Sequence, residues 1–215
     1  MKSLVCLFTC SYGRSRFLSF RGIHSGAVAY SIYNRIPDLF RGVVFVCPMC
    51  KIGDDMLPPQ WIIDLLQWLI GPTGTTSFLG FLPIAPAKND VGNVSYRIEK
   101  KREVVSRCPT SFCRNPRLAT ARELIQVTKD ISASLKEFDA PFLVVHGEAD
   151  RVTDPQLSQA LYNESKSTDK SIILYPGMWH ALTLGEPDES IDLVYNDCIK
   201  WILDRSNSED GEGAR

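Results

Sequence analysis

Two short apolar runs in this chain each end in residues that can hold or move a proton. Phe142–Val145 leads into His146-Gly147, and Glu148, Asp150 and Asp154 cluster behind it. Ile172–Tyr175 is broken by Pro176-Gly177, and His180 follows on the loop. An imidazole that takes a proton from a hydroxyl, and an acid that orients the imidazole, are two of the three parts of a nucleophilic hydrolase. The order acid then histidine is the one found where the nucleophile stands earlier in the chain. Spacing alone does not choose among the three carboxylates.

The elements that must position these groups follow from local patterning. Phe142–Val145 is continuously apolar, without polar alternation, which suits a parallel strand covered on both faces. Gly42–Cys47 reads the same way, and Ile172–Leu174 is a third such run. Loops at the carboxyl ends of parallel strands share one side of a sheet, where open α/β folds collect their chemistry. Asp154-Pro155 starts a helix, with proline at its first turn. Pro187–Asp204 reads as the last helix, with Ile191, Val194, Cys198, Ile199 and Ile202 inward.

Between the first two of these runs, Lys51 to about Glu137 breaks the strand–helix rhythm. Pro58–Ile70 has the period of a helix, with Trp61, Ile62, Leu65, Trp68 and Leu69 in one broad apolar stripe. Gly71–Asp90 reads as loop, and Asn115–Glu137 as a helix with Leu118, Ala121, Leu124, Ile125 and Ile131 spaced for burial.

Composition narrows the function classes. A chain of 215 residues with 44% hydrophobic and 23% charged residues is an ordinary globular protein of one domain's size. Net charge is −1, and no Lys/Arg block occurs, so nothing points to nucleic acid. Seven cysteines are an odd number for a disulfide framework, which favours a reducing, cytoplasmic setting. Cys47-Pro48-Met49-Cys50 with Cys108 and Cys113 lacks the spacing of a zinc ribbon, so no metal and no cofactor are expected. Leu4–Phe8 is too short to span a bilayer and makes a poor signal peptide.

The motifs together carry a resemblance. His146-Gly147-Glu148-Ala149-Asp150 with Val152-Thr153-Asp154-Pro155, and Leu174–His180 with Gly185-Glu186-Pro187, resemble the C-terminal half of the plant monoacylglycerol lipases. That group of α/β-hydrolases includes caffeoylshikimate esterase and lysophospholipase-like enzymes. The resemblance runs from about Gly26 to Asp204. It implies Asp150 as the acid, His180 as the base, and His146 as a structural residue at a strand end. It implies a fold of parallel strands with flanking helices, a partial α/β-hydrolase sheet in which 22–50 and 138–204 are core and 51–137 is a helical cap. Residues 1–21 are expected to be a divergent start, of the kind a different first exon or gene start gives, and 205–215 an acidic tail. The implied substrate is a small acyl ester such as a monoacylglycerol, lysophospholipid or caffeoylshikimate.

The nucleophile is where the chain departs from that pattern. An elbow of the form Gly-x-Ser-x-Gly lets glycines two residues either side clear a strained turn. Here the chain reads Gly22-Ile23-His24-Ser25-Gly26. Aligned from Gly26, the nucleophile position falls on Ile23; Ser25 is the available hydroxyl, with its glycines displaced. No His-Gly oxyanion loop is visible in Met1–Phe20. The expectation is therefore impaired turnover, or a truncated relative that binds an acyl ligand or a protein partner. Trp61 and Trp68 would line an acyl channel, touch a membrane surface, or pack the cap on the core. Without the strands that precede the elbow in the family, the elbow strand would form an open sheet edge and invite self-association.

Overall fold

The computed structural model describes residues 6–12, 15–21, 25–49, 59–61, 64–65, 68, 91–108 and 117–206. Five strands form one sheet in the order of the chain: β1 (Cys6–Tyr12), β2 (Ser15–Arg21), β3 (Gly42–Val46), β4 (Phe142–Gly147) and β5 (Lys170–Tyr175). β1 and β2 make an antiparallel hairpin, whereas β2 through β5 are mutually parallel. Each parallel step needs a crossover. α1 (Ser25–Arg35) supplies the first; α2 (Val91–Ser95), α3 (Glu99–Ser106) and α4 (Leu118–Ser134) lie within the second; α5 (Pro155–Glu164) supplies the third. α6 (Asp188–Ser206) follows β5.

Every residue of β3 and β4 is buried, as their unbroken apolar runs predict. Alternate side chains divide between two layers. Val43, Phe45, Phe142 and Val144 meet Ala29, Tyr30 and Tyr33 of α1, Ile131 of α4 and Leu161 of α5. Val44, Val46, Leu143 and Val145 face Val194, Trp201 and Ile202 of α6 on the other side. Phe138 joins the first layer, stacked on Tyr30 at 4.6 Å and 5.9 Å from the Phe45 ring.

Two details differ from the sequence reading. The elbow strand β2 is not a sheet edge: β1 pairs along its whole length, from Cys6 opposite Arg21 to Tyr12 opposite Ser15. Ile199 is half exposed and Trp201 is buried in its place. The stripe of α6 runs through Val194, Cys198, Trp201 and Ile202, and Ile199 lies beyond its edge, about 60° around the helix from Ile202. Trp61 and Trp68, at helical positions, are 66% and 78% exposed among the described residues.

Candidate active site

Asp150 leaves the sheet three residues after β4 and His180 five residues after β5, so their loops share the carboxyl end of the parallel strands. The two loops are zipped together by backbone. The N–H of Glu148 donates to Tyr175 O at 3.0 Å, and the N–H of Ala149 to Met178 O at 3.0 Å. Gly147 makes this approach feasible, since a Cβ there would stand 2.4 Å from Met178 O. Gly177 turns the histidine loop with φ +70°, a conformation that favours glycine.

This places His180 Nδ1 2.7 Å from Asp150 Oδ2, with both residues buried. Asp150 is held by the protein on both oxygens. Oδ1 accepts from the N–H groups of Val152 (2.7 Å) and Thr153 (3.0 Å); Oδ2 also accepts from Thr153 Oγ1 (2.8 Å). His146 Nε2 lies 3.1 Å from the same Oδ2 and 3.2 Å from Thr153 O, both acceptors, so that nitrogen carries its hydrogen. Its Nδ1 meets Ser158 Oγ at 2.6 Å. Burial alone would raise the Asp150 carboxyl. Hydrogen bonds from His146 and His180, the charge of His180 and the Val152 N–H outweigh burial and hold it far below the ordinary carboxylate range. An ionised Asp150 fixes His180 with its hydrogen on Nδ1 and leaves Nε2 as the proton acceptor.

The other carboxylates do different work. Glu148 is exposed, and Asp154 caps α5 by accepting from the Gln156 N–H at 2.8 Å. Ser25 is the first residue of α1, at the same end of the sheet as Asp150 and His180. Its side chain lies outside the described residues, as do Gly22, Ile23 and His24. Next to it, Gly26 is pressed on the chain leaving β3: a Cβ there would be 2.6 Å from Pro48 Cβ.

Cys47, weighed in the sequence only with other cysteines, stands instead beside Asp150 and His180. It follows β3 with φ 44°, an uncommon conformation for a residue with a side chain. Its Sγ, an Asp150 oxygen and a His180 ring nitrogen lie within 4.8 Å of one another, a donor set of the type that zinc accepts. The acid's oxygens, however, are already engaged by protein donors. Burial and the charge of Asp150 both keep the thiol protonated. The arrangement suits a thiol packed beside an acid–base pair.

The profile of the serine aminopeptidase S33 family matches residues 24–188. The chain belongs to that family. The caffeoylshikimate esterase of Arabidopsis thaliana is 31% identical to it over 166 residues, covering 77% of this chain and 48% of that protein. The monoglyceride lipase of Saccharomyces cerevisiae is 32% identical over 71 residues, 33% of this chain and 23% of the lipase. This chain thus spans about half the length of the first relative and less of the second. The crystal structure of Paleococcus ferrophilus monoacylglycerol lipase superposes with a TM-score of 0.70 at 20% identity, over 89% of this chain and 69% of that one. A soluble variant of the Saccharomyces cerevisiae lipase gives 0.62 at 18% identity, over 84% and 62%. Family and fold are those of α/β-hydrolases of the monoglyceride-lipase type.

Within this S33 chain, Thr153 and Ser158 are the site residues that the sequence did not single out, and His146, read as structural, holds the acid. Thr153 and Ser158 carry ordinary turn and helix signals. Only the folded loop reveals that the threonine hydroxyl and the strand histidine converge on Asp150.

Proposed function

We propose that this chain is a serine ester hydrolase acting on small acyl esters of the monoacylglycerol, lysophospholipid or caffeoylshikimate kind, with turnover well below that of longer relatives. The observation that carries the reading is the buried 2.7 Å contact between His180 and an ionised Asp150. In that role Ser25 Oγ attacks the ester carbonyl while His180 Nε2 takes its proton. Asp150 stabilises the imidazolium, which then returns the proton to the leaving alcohol; water and the same histidine release the acyl group. The displaced glycines around Ser25 misplace both the nucleophile and the backbone N–H that follows it. Losing one oxyanion donor costs about 10²–10³ in rate. A turnover under roughly a hundredth of a longer relative's follows for this chain assayed on its own.

Trp61, Leu65 and Trp68 stand exposed at helical spacing, and this supports a peripheral contact with a lipid surface, where such esters reside. No helix among the described residues is long and apolar enough to cross a membrane. Among the described residues β1 and β5 each pair on one side only, so these two edges are the ones that self-association would use.

The opposing reading, an acyl-binding or partner-binding relative without turnover, is favoured by one observation: Gly26 follows Ser25 directly, where the elbow needs a residue between them. Fluorophosphonate labelling of the purified chain, read by peptide mass spectrometry, separates the two. A labelled Ser25 peptide, with aryl-ester hydrolysis lost in Ser25→Ala and His180→Ala, is expected. An unlabelled Ser25 and identical background rates in all three proteins would overturn the hydrolase reading.

A further inference from the structure

The histidine loop is held from a second side, by the insertion rather than by the acid. The N–H of Ala181 donates to Ser95 O at 2.9 Å, and the N–H of Ile98 to Gly185 O at 2.9 Å. Arg97 Nη1 donates to Gly177 O at 3.3 Å. Lys101 Nζ donates to Glu186 O at 2.7 Å and pairs with the Asp188 carboxylate. The contact is close enough that a Cβ on Gly185 would meet Tyr96 Cδ1 at 3.0 Å. Residues 95–101 therefore clasp the loop at both its ends and at its middle.

Glu186 lies under this clasp. It is fully buried, and its Oε1 accepts the N–H of Trp179, the residue before His180, at 2.6 Å. Its Oε2 has no hydrogen-bond partner among the described residues and stands 3.6 Å from Arg97 Nη1. A buried carboxylate with one short N–H bond and one incompletely paired oxygen is costly relative to an apolar residue of that size. It adds little to packing that leucine would not, yet it fixes the peptide that carries His180. An oxygen that accepts the Trp179 N–H is what a loop needs to hold one residue in one place.

We propose that Glu186 is a positioning residue for His180, and that Arg97 and Lys101 join it to the insertion, so that the insertion helps set where the base stands. The inference rests on the reading of His180 as the base. It concerns geometry, and its test needs no turnover.

The chain has only three histidines, so selective ¹⁵N-histidine labelling gives a spectrum that His24→Gln and His180→Gln assign completely. In the full chain, the His180 Nδ1–H, held by Asp150, gives a downfield, slowly exchanging resonance. Glu186→Ala is expected to shift that resonance or lose it to exchange. Glu186→Gln, whose amide oxygen still accepts from Trp179, is expected to restore it. Arg97→Met and Lys101→Met are expected to move it in the direction of Glu186→Ala. The buried His146, anchored on Ser158 as well as Asp150, serves as the control for folding, and its signal should persist in each of these variants.

An unmoved His180 signal in Glu186→Ala would overturn the proposal, as would a Glu186→Gln that behaves like Glu186→Ala. If Glu186→Ala loses the His146 signal too, Arg97→Met and Lys101→Met decide: unmoved His180 signals in both overturn the proposal, and shifts with His146 in place support it. Should the chain fail to hydrolyse esters while these shifts occur, the hydrolase reading falls and the positioning inference stands.

Discussion

Gly147→Ala tests the way the site is assembled. Gly147 does not occupy the left-handed region, so alanine is compatible with its backbone, and the whole effect comes from contact. A Cβ there would lie 2.4 Å from Met178 O and 2.7 Å from Trp179 O, where ordinary contact begins at 3.4 Å, so the histidine loop must retreat by about 1 Å. Both neighbours are backbone atoms and cannot rotate away. Overpacking of this kind costs about 1–3 kcal/mol. At roughly 2–4 °C per kcal/mol for a domain of this size, Tm should fall by about 2–12 °C. The same retreat would stretch the 2.7 Å His180–Asp150 bond past hydrogen-bond range. Any ester hydrolysis should fall about 10²-fold, the usual penalty for a displacement near 1 Å. Calorimetry with ¹⁵N-histidine spectra reads both effects on one sample. A variant that melts with the unaltered chain and keeps the His180 Nδ1–H signal in place would refute the claim that Gly147 brings the two loops together.

Further outcomes follow from the packing and charge. Phe138→Ala empties the centre of the ring cluster formed by Tyr30, Tyr33, Phe45 and Phe142, and should cost about 3–5 kcal/mol, read from the urea midpoint. Asp150→Asn puts an amide N–H₂ opposite donors from His146, His180 or Thr153 and should cost about 1–3 kcal/mol at neutral pH. Because the folded state depresses the Asp150 carboxyl, its stabilisation is present above the unfolded value near pH ~4 and lost as pH falls through the lower folded value. The gap between Asp150→Asn and the unaltered chain should therefore shrink on acidification, and a gap that widens below that pH would contradict the assignment. Trp61→Ser with Trp68→Ser should weaken sedimentation with anionic lipid vesicles and leave Tm within about 1 °C, since both side chains are exposed.

Much of this protein was legible in the residues alone. Unbroken apolar runs at 42–47 and 142–145 can be buried on both faces only inside a parallel sheet, and β3 and β4 are those strands. The motifs around 146–155 and 174–187 placed an acid and a histidine on loops at one sheet end, because parallel strands put every carboxyl end on the same side. Local spacing could not choose Asp150 over Asp154, since that choice is made by where each carboxylate points. Folding turns Asp154 to the α5 N-terminus and Asp150 toward His180 and His146. Tertiary structure alone brought in Thr153, Ser158 and Cys47, whose contacts join residues that no sequence period relates. It also decided the fate of residues 6–21, which carried no motif in the sequence reading yet pair as β1 and β2 ahead of Ser25. A backbone edge asks only for N–H and C=O groups in register, and many sequences can supply those. A triad asks for particular side chains, which is why it leaves a motif and an edge strand does not.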